Sequence, residues 1–172
     1  MGLFWKKTAL TENCWADHGD KIRAFGRKPQ DQEEAVVQKR RILIVEDDRP
    51  VAQALWRALN TPQGGGYMVE NCESAEVALE RLRNAHFDLL IADLRLPGIN
   101  GLELIEQVHQ SSPGTYSVLI TAFGSPQVAT HARRVADAYV LKPFRLRDMI
   151  QLVERIFNAD QKRANLEQTD LG

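Results

Sequence analysis

From Arg41 onward, short unbroken apolar runs alternate with longer stretches in which apolar residues recur every three or four positions. "RILIVEDD" is a compact β-branched run, as expected of a strand buried on both faces. "RPVAQALWRALN" places Val51, Leu55, Trp56 and Leu59 on one helical stripe, with Pro50 suited to its first turn and Asp48 placed to cap it. After the loop "TPQGGG", "YMVENC" reads as a second, shorter strand. The alternation repeats: helix "SAEVALERLRNA" capped by Ser74, strand "FDLLIAD", helix "GLELIEQVHQ", strand "YSVLITA", helix "PQVATHARRV", strand "DAYVLKPF" and helix "LRDMIQLVERIFN". Five strands alternating with five helices predict an α/β fold, a parallel sheet covered on both faces.

The ends depart from this rhythm. Residues 1–40 hold Trp5 and Trp15 but sustain neither period, and "GRKPQDQEEAVVQKR" reads as a polar linker, so the domain boundary is placed near Lys39. This N-terminal extension is expected to be partly disordered, and its Leu3, Phe4, Ile22 and Phe25 are candidates for docking on the domain, a second subunit or a target. Residues 159–172 are polar and are expected to fray into a tail, too short for a DNA-binding output module.

Composition narrows the class. With 44% apolar and 26% charged residues the chain is an ordinary globular one, and a net charge of −1 gives no general attraction to nucleic acid or membranes. No apolar segment approaches the roughly 20 residues that span a bilayer. The apolar residues of "MGLFWKKTAL" precede its lysines, the reverse of a secretory signal, and Lys6 stands where a myristoylation motif needs Ser or Thr. Cys14 and Cys72 have neither a close pair nor a metal-type spacing. A cytoplasmic protein with reduced thiols is the expectation.

Chemistry in an open parallel sheet gathers at the carboxyl ends of the strands. There the first strand ends in Glu46 and Asp47, the third in Asp93, the fourth in Thr121 and the fifth runs into Lys142-Pro143. Clustered carboxylates need compensation to stay ionised, which a hard divalent cation with oxygen ligands supplies. Lys142 adds a second positive charge and Thr121 a hydroxyl. The set suits a phosphoryl group, with Asp93 as nucleophile. His18, His86, His109 and His131 have no partners at a useful spacing and read as surface or packing residues.

The motifs "ILIVEDD", "IADLRLPGINGLEL", "LITAFG" and "YVLKPF", in this order and each at a strand end, make residues 41–158 resemble the CheY-like receiver domain of two-component response regulators. The resemblance implies a flavodoxin-like, doubly wound sheet of order 2-1-3-4-5. It implies that Glu46, Asp47, Asp93 and the Arg95 backbone carbonyl hold Mg²⁺ (or Mn²⁺), and that Asp93 accepts the phosphoryl group. Lys142 would pair with phosphoryl oxygens, and Thr121 and Tyr139 would be switch residues, although a strand aromatic is ordinarily core packing. A cis Lys142-Pro143 bond is also implied. The implied phosphodonor is a sensor histidine kinase or phosphotransfer protein, and output would pass by contact with a downstream protein, with a homodimer open and DNA disfavoured.

Four positions depart from the commonest family pattern. Arg95 is expected to lie over the acidic cluster and compete with the metal, and Phe123 offers no polar group to orient an attacking water, so a long-lived acyl phosphate is expected. Val135 replaces a glycine at the end of the fourth helix, and Arg145 opens the fifth where an oxygen cap is usual. Three other readings stay open: a phosphorelay intermediate, a constitutive binding module, and a phosphatase with an aspartyl nucleophile. The last wants a second acid at the place Arg95 holds.

Overall fold

A computed structural model describes residues 39–169. Five strands, β1 (Arg41–Val45), β2 (Met68–Cys72), β3 (Leu89–Asp93), β4 (Tyr116–Thr121) and β5 (Ala138–Leu141), alternate with α1 (Arg49–Asn60), α2 (Ala75–Asn84), α3 (Gly101–Ser111), α4 (Pro126–Val135) and α5 (Leu146–Thr169). All strand pairs are parallel and the order is β2-β1-β3-β4-β5, as expected.

Period-two side-chain direction explains the unbroken apolar runs. In β1, Leu43 and Val45 enter one core with α2, α3 and α4, while Ile42 and Ile44 enter the other with α1 and α5. β3 divides in the same way, Leu90 and Ala92 against Leu89 and Ile91. A strand between two cores cannot alternate with polar residues. Each fully buried Leu or Ile contributes about 1.5–3 kcal/mol.

The helix starts follow their caps. Asp48 Oδ1 accepts from Val51 N at 3.3 Å, Ser74 Oγ from Val77 N at 3.4 Å and Ser125 Oγ from Val128 N at 3.2 Å. In the loop before α3, Asn100 caps the helix: its Oδ1 accepts from both Leu102 N and Glu103 N at 3.0 Å. The left-handed residue there is Gly98, with φ of 76°. Gly101 has a different reason, because a Cβ would run into the Asp93 carbonyl.

At the chain ends the structure differs from expectation. α5 does not end at Asn158 but runs to Thr169. Asp160, one turn beyond the last buried aromatic, accepts from Arg40 Nη2 at 2.6 Å and from the Tyr116 hydroxyl at 2.9 Å, which fastens the polar continuation to the domain. The remaining residues are mostly good helix formers, so length is added without an apolar stripe. Residues 1–38, with the aromatic residues singled out above, lie outside the described residues. Among the described residues no helix is long and apolar enough to cross a membrane.

α4 ends without a left-handed residue, Ala136 being extended at φ −110°, as a Val at position 135 led one to expect. Arg145 supplies its carbonyl to Asp148 N at 3.0 Å and Met149 N at 3.3 Å, and Asp148 puts a negative charge in the first turn that an acidic cap would otherwise provide.

Candidate functional site

Parallel pairing of β1, β3, β4 and β5 delivers their carboxyl ends to one edge. Glu46 and Asp93 are buried there, at 2% and 5% exposure, while Asp47 is exposed. One carboxylate oxygen from each lies within 4.8 Å of the others. Lys142 Nζ bridges the two buried acids, 2.6 Å from Glu46 Oε2 and 2.7 Å from Asp93 Oδ1. The Lys142 backbone N–H donates to the Thr121 carbonyl at 2.7 Å, which fixes the lysine over the end of β4, and the Lys142-Pro143 peptide is cis. Asp93 Oδ2 accepts from Arg95 N at 2.6 Å.

One ammonium therefore pairs with the two buried carboxylates, and the third, Asp47, lies beside them. Burial pushes the Glu46 carboxyl above its ordinary range, against the opposing pull of its hydrogen bond from Lys142. For Lys142, burial works to lower the ammonium's value, but hydrogen bonds to Asp93 and Glu46 together raise it. A hard cation fits this set: all donors are carboxylate oxygens and the local charge is under-compensated.

Thr121 is fully buried, and its Oγ1 accepts from Phe123 N at 3.0 Å. The Tyr139 hydroxyl is buried without a hydrogen-bond partner, on a side chain packed against the α2–α4 core. The structure thus brings Glu46, Asp47, Asp93 and Lys142 together, with Thr121 attached through the Lys142 backbone. Tyr139 is set apart in β5.

Arg95 is not where the sequence suggested. Its guanidinium lies 3.3 Å from the centroid of the Phe123 ring and, among the described residues, makes no ion pair with the acids. The aromatic face and an exposed setting suit a guanidinium better than entry among buried carboxylates beside an ammonium. Arg95 and Phe123, singled out separately in the sequence, form one contact across two loops.

His86, His109 and His131 lie at or near the surface, as expected, but each has a partner, and His18 lies outside the described residues. His109 Nε2 is 3.0 Å from Ser117 Oγ, which donates to Asp137 Oδ2 at 3.1 Å. His131 Nε2 is 2.8 Å from Glu106 Oε1, and His86 Nε2 is 3.8 Å from Asp88 Oδ1. Spacing along the chain could not reveal the partners of His109 and His131, because these join elements that meet only in the folded domain, α3 with β4 and α3 with α4.

The response regulator receiver domain pattern matches residues 42–154. The receiver protein CpdR of Brucella abortus is 33% identical over 121 residues, 70% of this chain and 98% of that protein. FleR of Pseudomonas aeruginosa is 36% identical over 116 residues, 67% of this chain, and the chain spans only 24% of FleR's length. Among solved structures, a CheY-like receiver domain protein from Methanospirillum hungatei superposes with a TM-score of 0.68 at 30% identity, covering 73% of this chain and 98% of that one. TrrA of Thermotoga maritima, solved in complex with Mg²⁺-BeF, gives 0.60 at 29% identity, covering 67% and 97%. On the fold, the edge cluster and these matches, the chain belongs to the response regulator receiver domain family, a signalling module of two-component systems rather than a conventional enzyme.

Proposed function

We propose that this chain is a phosphorylation-controlled switch in which Asp93 accepts a phosphoryl group from the phosphohistidine of a sensor histidine kinase or phosphotransfer protein. The observation that carries the reading is the single ammonium of Lys142 held between Glu46 and Asp93, with Asp47 beside them. Mg²⁺ or Mn²⁺, held by Glu46, Asp47, Asp93 and the Arg95 carbonyl, supplies positive charge for the carboxylates and for phosphoryl oxygens. The Mg²⁺-BeF complex of TrrA supports that choice of cation.

The Asp93 carboxylate attacks phosphorus in line; a P–O bond forms as the P–N bond to imidazole breaks, and the electron pair leaves with the ring nitrogen. Lys142 Nζ, already on Asp93 Oδ1, pairs with the oxygens that carry the transferred charge. Thr121 releases the Phe123 N–H and donates its hydroxyl proton to a phosphoryl oxygen. That movement alters the β4–α4 loop, and the unpartnered Tyr139 hydroxyl becomes free to pair with it. Output then passes through the α4–β5–α5 surface to a downstream protein.

Phe123 offers no polar group to orient an attacking water, and its ring is occupied by the Arg95 guanidinium, which favours a phosphorylated state lasting minutes rather than seconds. The constitutive-module reading rested on Arg95 acting among the acids, and its observed place on Phe123 removes that motive. Transfer from a phosphorylated histidine phosphotransfer domain tests the switch: label should reach the wild type and not Asp93→Asn. Equal labelling of both would remove Asp93 from its role.

A further inference from the structure

Residues 94–100 lead from β3 to α3 at the carboxyl edge of the sheet and carry the Arg95 carbonyl. Backbone bonds fix the two ends of this loop: Leu94 N donates to the Ile120 carbonyl at 2.8 Å, and Gly101 N to the Leu94 carbonyl at 3.0 Å. Leu94, Leu96 and Ile99 also pack on the α2–α4 core. Between those ends, among the described residues, a single hydrogen bond ties the loop to an element it does not itself connect. Ile99 N donates to Glu76 Oε1, in the first turn of α2, at 3.3 Å.

Gly98 is fitted to the same carboxylate. Its φ of 76° is left-handed, and a Cβ there would run into Glu76 Oε1. The ordinary account of Glu76 is an acid favoured by the dipole at the start of α2. That account needs the charge, but it gives no reason for the oxygen to lie against Gly98 and Ile99. The carboxylate also accepts from its own N–H and from the Ser74 hydroxyl, and these bonds, with that from Ile99, hold it below the ordinary glutamate range. An acceptor with three donors is a fixed point for the loop to rest on.

We propose that Glu76 is a positioning residue for the divalent cation: by holding Ile99 N it steadies the loop that presents the Arg95 carbonyl. Without this bond the donor set is complete, but one donor must be ordered when the cation binds, which weakens binding. The inference deepens the switch reading and rests on it for the Arg95 carbonyl as a ligand. The tie is exposed, so the expected effect is modest.

Calorimetric Mg²⁺ titration of the full chain, with hydrogen exchange over residues 94–100 and metal-free thermal midpoints, separates the tie from the charge. Glu76→Ala should weaken Mg²⁺ binding about three- to tenfold, the scale of one modest hydrogen bond, and should speed exchange at Ile99. Glu76→Gln keeps an acceptor for Ile99 N without the charge and should retain most of the Mg²⁺ affinity. The thermal midpoint should fall alike in both variants, because both lose the acid from the first turn of α2. Gly98→Ala should weaken Mg²⁺ in the same direction, and combined with Glu76→Ala by less than the two effects added, since the carboxylate it strikes is then gone. Equal weakening by Glu76→Ala and Glu76→Gln would assign the effect to charge and overturn the proposal. Unchanged affinity in Glu76→Ala, beside weakened binding in Asp47→Asn, would uphold the switch reading and overturn the positioning role. No Mg²⁺ binding by the wild type would overturn both.

Discussion

The two ends of the sheet both gather carboxylates, and they treat them in opposite ways. At the amino end, Asp88 accepts from Arg40 Nη1 at 2.8 Å and from Arg41 N at 2.7 Å, and Asp160 from Arg40 Nη2 at 2.6 Å and the Tyr116 hydroxyl at 2.9 Å. Every oxygen of that pair has a donor, and the guanidinium also covers the Phe157 ring at 5.3 Å. At the carboxyl end, two buried acids and an exposed one crowd within 4.8 Å around a single ammonium. The first arrangement fastens β1, β3 and α5 together. The second leaves negative charge uncompensated in a place where burying charge is costly. A deficit of this kind is what a site built for a cation and a phosphoryl group should carry before either arrives.

The sharpest way to break the comparison is to neutralise one carboxylate at each end. Asp93→Asn should abolish phosphoryl incorporation completely, read by intact mass, without lowering the metal-free thermal midpoint, because it relieves crowding. Asp88→Asn should do the reverse: incorporation survives and the urea midpoint falls. A next smaller effect is expected of Arg40→Ala, which strips donors from both Asp88 and Asp160. It should cost about 1–2 kcal/mol in urea unfolding, allowing for partial exposure, and leave phosphorylation intact. If Asp93→Asn destabilised the fold as strongly as Asp88→Asn, the distinction between the two ends would collapse.

Cation and proton should substitute for each other at the carboxyl end. Burial raises the folded-state value of Glu46, so its protonation contributes stability that is fully present below the ordinary glutamate range and lost as pH rises through the raised value. The metal-free protein therefore loses this share as pH rises above the ordinary glutamate range and through the raised value. Mg²⁺ should restore it, by about 2.7 kcal/mol at a hundredfold excess over Kd. Thermal midpoints with and without Mg²⁺ should diverge as pH rises. Lys142 has its window elsewhere: its raised value makes its contribution present below the ordinary lysine range and lost only at strongly alkaline pH.

The smallest effect concerns the contact between Arg95 and Phe123. A double-mutant cycle over Arg95→Ala and Phe123→Ala should give a coupling of about 0.5–1 kcal/mol, as for an exposed cation–π pair. Both substitutions should shorten the acyl phosphate lifetime. A wild-type lifetime of seconds would contradict the protective role of this pair.

Much of the fold was legible because strands buried on both faces leave an unmistakable apolar signature: "RILIV" and "LLIAD" could not be surface elements. The acids and Lys142 were legible because strand ends are fixed by the same signature. Contacts between distant elements were not. Nothing in the spacing joins Arg40 to Asp160, or His109 to Ser117 and Asp137, since the sheet alone brings them together. The continuation of α5 was hidden for a related reason: its anchor, Asp160, works through Arg40 and Tyr116 rather than through an apolar stripe of its own. Arg95 was misplaced because charge argued for the acids while its loop set the guanidinium over Phe123.

The claim that the carboxyl end is poised for a cation and a phosphoryl group is tested most directly by intact mass after incubation with acetyl phosphate. Three samples suffice: wild type with Mg²⁺, wild type with chelator, and Asp93→Asn with Mg²⁺. Gain of one phosphoryl group by the first alone is the expected result. Gain without metal, gain by Asp93→Asn, or no gain by the wild type even with a phosphorylated histidine donor would contradict it.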